Sequence, residues 1–176
     1  MSRMEIAFEE LNLNIVPFWS NGLVLTAGIN EPGKFNPMTI GWGCLGFSWK
    51  KPIIMVAVRP TRYTYEFIES CESFTVCAFP SQYQKTLTLL GTKSGRDIDK
   101  LKESGLTPLP STKVACPGFN EAELILECRK IYYDDLKPGN ATEAVHDFYR
   151  TGDYHRLYCG EILAIHGESH YRRKAE

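Results

Sequence analysis

The sequence predicts a mainly β domain with a few short helices, built around a β-barrel core. Three observations lead there: many segments have strand character, helical patterns are few and short, and no repeat or linker divides the chain. A chain of 176 residues is long enough for one domain with its own hydrophobic core. We therefore expect a single domain over 1–176, with its core at about 15–167 and a C-terminal tail at 168–176.

Six segments are predicted to be strands because they are apolar or alternate in polarity, and because turn-forming residues bound several of them. They are residues 23–29, 37–45, 53–58, 74–79, 123–133 and 156–166. The continuously apolar segment 53–58 is typical of a strand that is covered on both faces. In the last strand, the period of two predicts a common face for Leu157, Cys159, Glu161, Leu163 and Ile165.

Three helices are predicted from apolar residues at helical spacing. They begin near Tyr63, near Tyr83 and at about Asp97. We expect Asp97 to cap the third helix and Gly105 to end it. The most irregular stretches are predicted at residues 113–119 and 137–154.

Charge and composition exclude several classes of function. The net charge is −1, whereas proteins that bind nucleic acid non-specifically carry a basic surplus. No apolar run reaches the roughly 18 to 20 residues of a membrane span, and the mixed, acidic N-terminus does not resemble a secretory signal. We therefore expect a cytoplasmic protein that binds neither nucleic acid nor membrane.

The cysteine and histidine patterns do not predict a metal or thiol site. None of the six cysteines lies in a C-x-x-C pair, and the four histidines lack the spacing of zinc ligands. Six is an even number, so disulfides are arithmetically possible, but they are not expected in a chain without a secretory signal. We predict no metal.

Two neighbouring segments indicate a flavin mononucleotide site. The first, Asn36-Pro-Met-Thr-Ile-Gly-Trp-Gly-Cys44, has glycines that would let backbone groups approach a flat ring, although an edge strand with a bulge explains them equally. The second segment, 58–64, follows a buried strand and contains two arginines and two threonines. A helix N-terminus with arginine there can hold a phosphate, although a solvated, capped turn is the alternative.

Two later segments supply further candidate groups. Residues 90–100 contain Gly-Thr-Lys-Ser-Gly, which does not follow the phosphate-loop pattern of nucleoside triphosphatases. This stretch is either a polar connection between helices or a mobile segment whose Lys93, Ser94 or Lys100 reaches the flavin. His155 begins the last strand, where a lone histidine is more often structural than catalytic.

The four segments together resemble the flavin reductase family with the FMN-binding split-barrel fold, in particular its flavoredoxin-like branch. Asn-Pro-Met-Thr-Ile-Gly-Trp at 36–42 resembles the flavin-ring segment of that branch, and Arg-Pro-x-Arg-Tyr-Thr at 59–64 resembles its phosphate turn. Thr-Lys-Ser-Gly-Arg-Asp-x-Asp-Lys at 92–100 is similar to its post-helix loop. His-x-Leu-Tyr-Cys-Gly-Glu-Ile at 155–162 resembles the family's His-x-Leu-Phe-x-Gly-Glu-Val strand.

This resemblance implies a split β-barrel of Greek-key type and an assignment for each candidate residue. The residues implied at the isoalloxazine ring are Asn36, Met38, Thr39, Ile40, Gly41 and Trp42. Those implied at the ribityl phosphate are Arg59, Arg62, Tyr63 and Thr64. Lys93, Ser94 and Lys100 are implied to close over the cofactor, and His155 to lie where nicotinamide docks.

The resemblance also implies hydride transfer from NADH or NADPH to flavin N5. Either Lys93 or backbone N–H groups would stabilise the reduced ring, and His155 would orient the donor or supply a proton. It implies a homodimer with flavin near the interface, which could serve a partner oxygenase or redox protein. Three alternatives stay open: an electron carrier with permanently bound FMN, an FMN- or haem-binding module without turnover, and an activity like that of pyridoxamine-phosphate oxidase. Tyr154 separates Asp153 from His155, whereas many reductases of the family have Gly-Asp-His.

Overall fold

The computed structural model describes residues 2–174. They form an antiparallel sheet with short helices packed against it. The strands are β1 (Met4–Glu5), β2 (Leu23–Gly28), β3 (Phe35–Ile40), β4 (Gly43–Ser48), β5 (Lys51–Val58), β6 (Ser73–Ala78), β7 (Pro108–Leu109), β8 (Gly118–Phe119), β9 (Leu124–Asp135) and β10 (Arg156–Gly167). The α-helices are α1 (Ile15–Ser20), α2 (Tyr63–Ser70), α3 (Gln84–Thr92), α4 (Lys100–Ser104) and α5 (Glu143–His146). The predicted mainly β class with short helices is confirmed.

The main sheet has eight strands, with the order β3-β2-β6-β9-β10-β5-β4 and with β1 paired to the end of β10. All of its pairings are antiparallel. Strand β5 lies between β4 and β10, and Ile54, Val56 and Val58 are completely buried there. The continuous apolar run that predicted a covered strand therefore corresponds to an inner strand of the sheet.

The prediction of a single strand at 37–45 is wrong, because the chain forms two strands there, β3 and β4, separated at Gly41 and Trp42. Strand β4 begins at Gly43, where backbone and an aromatic ring leave no space for a side chain. A Cβ at Gly43 would lie 2.2 Å from the carbonyl oxygen of Met55 and 2.4 Å from the ring of Trp19. The glycines that suggested an irregular strand therefore mark the corner between two strands.

The prediction that alternate residues of β10 share one face along its whole length is also wrong, because β10 pairs with β9 through two register shifts. One shift falls between Ile162 and Ala164, so Leu163 is an extra residue opposite β9. Ile162 and Ile165 both belong to the buried core, although they are three positions apart. A bulge of this kind moves later side chains to the other face, which a strict period of two does not anticipate.

The helices predicted near Tyr63 and Tyr83 are confirmed as α2 and α3, and Gly105 ends α4 in a left-handed conformation with φ of 67°. The predicted cap is wrong: the Asp99 carboxylate, and not that of Asp97, accepts hydrogen bonds from backbone N–H groups of the first turn of α4. Helices α1 and α5 were not predicted, because each is shorter than two turns and has little periodicity.

Two apolar clusters support the fold and place the helices. The larger cluster lies on the inner face of the sheet. The smaller cluster lies on the opposite face, where Leu87 and Leu90 pack α3 onto the sheet. Both α2 and α3 pack against β3, which brings the turn before α2 close to the loop after α3. None of the helices of residues 2–174 is long and apolar enough to cross a membrane.

The cysteines and other metal-binding residue types are dispersed through this fold. All six cysteines are free thiols, and Cys77, Cys116 and Cys128 are completely buried. Burial raises the pKa of the Cys77 thiol to about 12. Within residues 2–174, no group of three or more His, Cys, Asp or Glu residues is placed to hold a metal ion.

Candidate functional site

Two adjacent cavities lie where β3 meets the turn before α2. The first has a volume of about 280 Å³ and the second about 220 Å³. Met38, Thr39 and Arg62 line both of them, so these residues form the boundary between the two. The predicted ring segment and the predicted phosphate turn therefore meet in one place.

The first cavity lies between the N-terminus of α2 and the loop after α3. Arg62 is the N-cap of α2 in extended conformation, and no side chain caps the helix. First-turn N–H groups of a helix lack partners within the helix and carry partial positive charge, so they favour an anion. The cavity is lined by Met38, Thr39, Thr61, Arg62, Tyr63, Thr64, Leu90, Gly91, Thr92, Lys93, Ser94, Arg96, Asp97 and Lys100.

Arg96 and Gly95 hold the loop against the helix. The Arg96 guanidinium lies 4.9 Å from the centre of the Tyr63 ring, and it donates to Glu66 at 2.5 Å and to the Thr61 carbonyl at 3.2 Å. Gly95 approaches β3 so closely that a Cβ there would lie 2.1 Å from Asn36 Oδ1. The loop thus forms a wall of the first cavity with side chains of both charges.

Three polar side chains are buried beneath this wall. Asn36 is 4% exposed and its Nδ2 donates to Thr64 Oγ1 at 2.7 Å, which ties β3 to α2. Lys100 is 6% exposed and its Nζ donates to the carbonyls of Pro37 at 2.9 Å and Leu90 at 2.8 Å. Burial, with a smaller effect of the nearby Arg62 charge, lowers the pKa of Lys100 to about 8.

The second cavity is lined by the end of β3, the corner after it and the beginning of β10. Its lining residues are Met38, Thr39, Ile40, Gly41, Trp42, Ala57, Arg59, Arg62 and His155. The nearest atom to a Cβ at Gly41 would be the Trp19 carbonyl oxygen at 3.6 Å, so space beside this backbone is open. This cavity combines accessible backbone with aromatic surface, which suits a flat ring with polar edges.

An aromatic segment, residues 147–154, packs against Trp42 and Arg59, two residues that line the second cavity. The ring centre of Trp42 lies 5.6 Å from that of Phe148 and 6.3 Å from that of Tyr149. Arg59 donates from Nη2 to the Phe148 carbonyl at 3.0 Å, and its guanidinium lies 5.1 Å from the centre of the Tyr149 ring. The charge of Arg59 therefore holds this segment in place.

His155 lines the second cavity and is held there by two aromatic side chains. Its ring centre is 4.9 Å from that of Trp42, and its Nδ1 is 2.8 Å from the Tyr149 hydroxyl. Burial first, and then the charge of Arg59, lower the pKa of His155 to about 4. At neutral pH the imidazole is therefore uncharged and serves as a hydrogen-bonding group.

The structure brings most of the sequence-predicted residues to these cavities, but it separates some of them. Lys93 and Ser94 line the first cavity with Arg62, Tyr63 and Thr64, whereas His155 lines the second. Arg59, expected at the phosphate, lines only the second cavity. Asn36 lines neither, and the Thr39 hydroxyl donates to the Leu87 carbonyl at 2.5 Å.

Sequence reasoning missed several contributors. Thr61 and Arg96 line the first cavity, and they stand inside motifs that were recognised but not assigned residue by residue. The aromatic segment at 147–154 gave only the signal of three closely spaced aromatic residues in a stretch predicted to be irregular. Its position over Trp42 results from the pairing of β10 with β5, which no local pattern reveals.

Comparison with known proteins gives consistent similarities. A protein of Archaeoglobus fulgidus, named only as uncharacterized, is 30% identical over 147 residues, covering 83% of this chain and 72% of its own. The flavoredoxin of Methanosarcina acetivorans has a TM-score of 0.63 at 25% identity, over 93% of this chain and 72% of its own. An FMN-binding protein from Thermus thermophilus, solved with p-hydroxybenzaldehyde, has a TM-score of 0.66 at 20% identity, over 84% and 71%.

The structural likeness confirms the fold expected from the sequence, an antiparallel split barrel of the kind seen in FMN-binding proteins. The flavin reductase like domain matches residues 19–175 and so covers almost all of the chain. This chain belongs to the flavin reductase-like domain family.

Proposed function

We propose that the protein is an FMN-binding oxidoreductase that accepts hydride from NADH or NADPH. The observation that carries this proposal is the junction of the two cavities at Met38, Thr39 and Arg62. Ligand sites commonly occupy about 300–1,000 Å³, and each cavity alone is smaller than that. A ligand with an anionic end and a flat ring would use both cavities.

The residues present fit FMN by their chemistry. In the first cavity, Arg62 and Lys93 supply positive charge, Ser94 a hydroxyl group, and the start of α2 backbone N–H groups, which together suit a phosphate. In the second, the backbone at 40–42 can hydrogen-bond to ring heteroatoms, and Trp42 offers an aromatic surface. The buried side chains of Asn36 and Lys100 fix β3 against α2 and α3 through their hydrogen bonds.

Bound FMN would supply a ring whose N5 accepts hydride. Lys93 belongs to the first cavity, so we assign its charge to the phosphate end. We assign the stabilisation of the reduced ring to backbone N–H groups at 40–42. His155 is neutral at physiological pH, so its proposed task is to orient the nicotinamide by a hydrogen bond.

A second candidate function is electron transfer with permanently bound FMN and no nicotinamide step. The likeness to the Methanosarcina acetivorans flavoredoxin favours this candidate. The aromatic segment also packs against Trp42 and His155, which leaves less of their surface for a nicotinamide. In either function the acceptor could be a partner oxygenase or another redox protein.

Anaerobic mixing of the FMN-loaded protein with NADH and with NADPH tests the proposal. Loss of the visible flavin absorbance with either nucleotide supports the reductase. Colour that persists with both nucleotides but disappears with dithionite contradicts the reductase and supports the carrier. Failure of the purified protein to bind FMN at all contradicts both functions.

We also propose a homodimer, with β4 in the interface. This strand is at the edge of the sheet, and Phe47 and Trp49 at its end are 68% and 60% exposed. An exposed apolar edge strand offers unpaired backbone groups and apolar area to a second copy. Light scattering during gel filtration should give twice the mass of 20.0 kDa, and a monomer at micromolar concentration would contradict the dimer.

A further inference from the structure

Tyr149 is buried in the aromatic segment, and its ring is fixed on three sides. It stacks on Tyr154 with ring centres 4.3 Å apart and planes 14° apart. The Arg59 guanidinium lies 5.1 Å from its ring centre, and the Trp42 ring meets it edge-on. Because these contacts hold the ring in place, the position of its phenolic oxygen is fixed.

That hydroxyl group contacts His155 and determines which ring nitrogen carries the proton. The oxygen is 2.8 Å from His155 Nδ1. An imidazole nitrogen is a much stronger acceptor than a phenol oxygen, so the phenol donates and Nδ1 accepts. The ring proton of the neutral histidine is then on Nε2.

The groups around His155 keep this arrangement over the physiological pH range. Arg59 and Arg62 disfavour a positive charge on the imidazole, and Asp153 favours it, but burial has the largest effect and lowers the pKa of His155 to about 4. Burial also raises the pKa of Tyr149, so the phenol keeps its proton. Within residues 2–174, no protein group accepts a hydrogen bond from Nε2.

We propose that Tyr149 is a positioning residue that fixes His155 as the Nε2–H tautomer, so that His155 presents a donor to a carbonyl oxygen of the ligand in the second cavity. The identity of that ligand rests on the proposed function, in which the oxygen belongs to the carboxamide of a nicotinamide. A carbonyl of the flavin ring has the same chemistry and would be recognised in the same way. Separate measurements with the two ligands distinguish them.

The tautomer is tested first, without NADH or NADPH. Nitrogen-15 NMR of the histidine rings in the FMN-loaded protein should show Nε2 protonated and Nδ1 unprotonated for His155. Tyr149→Phe keeps the stacked ring and removes only the hydroxyl, so the same spectrum should change to a mixture of tautomers. Tyr154→Phe is the matched control, because its hydroxyl contacts His146 and not His155. A protonated Nδ1 in the wild type, or an unchanged spectrum in Tyr149→Phe, overturns the proposal.

Kinetics and binding then identify the ligand. Loss of one neutral hydrogen bond predicts that Tyr149→Phe raises KM for NADH or NADPH about three- to tenfold, with kcat little changed. His155→Gln, which keeps an amide donor near the position of Nε2, should retain more affinity than His155→Ala. If the Kd of FMN rises instead and KM for the nicotinamide nucleotide is unchanged, the nicotinamide assignment is contradicted. The carbonyl that accepts from His155 then belongs to the flavin ring. If neither nucleotide reduces FMN, the proposed reductase fails, whereas the NMR result still decides the role of Tyr149.

Discussion

The two cavities differ in how their positive charges are used. In the first, Arg62 makes one long contact, 3.3 Å from Nη1 to the Gly91 carbonyl, and Lys93 is exposed. In the second, Arg59 is already engaged by the Phe148 carbonyl and lies 3.7 Å from Asp153, and His155 is neutral. The first cavity therefore has Arg62 and Lys93 available for an anionic ligand. The second shares Arg62 with it, and its other residues offer hydrogen bonds and aromatic surface to an uncharged ring.

The largest expected effect concerns Arg59 and Arg62, two arginines of the same turn. It tests whether only Arg62 is available for an anionic ligand. Arg62→Ala should raise the Kd of FMN roughly 10- to 100-fold, because a hydrogen bond to a charged group contributes about 1.5–3 kcal/mol. Arg59→Ala should change it about threefold or less, since this side chain mainly holds the aromatic segment. Fluorescence titration of FMN measures both values.

Arg150→Ala is the control for loss of one positive charge, because Arg150 is 82% exposed and lies in the same aromatic segment. Its Kd should equal that of the wild type. Equal losses of affinity in Arg59→Ala and Arg62→Ala would show that the two cavities do not divide the charge as described.

The second prediction concerns the wall of the first cavity. Gly95→Ala would place a Cβ 2.1 Å from Asn36 Oδ1 and 2.9 Å from the Tyr63 ring, so the loop must move. Overpacking of this kind costs about 1–3 kcal/mol, which should appear as a lower free energy of unfolding in urea, weaker FMN binding, or both. The control is Gly139→Ala, where a Cβ would meet no atom within 4 Å. If both variants behave alike, the close contact with Asn36 does not hold the loop.

The smallest expected effect concerns Lys100, the buried lysine that lines the first cavity. Lys100 has a folded pKa of about 8, below the ordinary value of 10.5, because it is buried. Between pH 8 and 10.5 the unfolded chain binds more protons than the folded protein, so the free energy of unfolding should rise with pH. Below pH 8 the lysine is charged in the folded protein as well, and its burial then lowers the free energy of unfolding. Lys100→Met should remove that rise, as measured by Tm from about pH 7 to 10.

Lys102→Met provides the control, since Lys102 is an exposed neighbour on the same helix. Its Tm should follow the wild type across the pH range. Parallel profiles for Lys100→Met and the wild type would mean that Lys100 keeps its ordinary pKa in the folded protein.

Local patterns predicted those parts of the molecule whose physics is local. The apolar run at 53–58 identified an inner strand, and helical spacing identified α2 and α3. Gly105 was recognised because a left-handed helix end favours glycine. The same patterns failed at Gly43 and Leu163, where the register between strands, and not the sequence around the residue, decides the direction of the chain.

The sequence by itself determined the fold class, the family and most of the polar residues that meet beside β3. Those properties follow from periodicity, turn residues and motifs along the chain. Only the tertiary structure decided that Arg59 holds the aromatic segment, that Lys100 and His155 have lowered pKa values, and that Tyr149 contacts His155. These properties depend on burial and on partners from distant elements, because the strength of a charge or a hydrogen bond is set by what surrounds it in space.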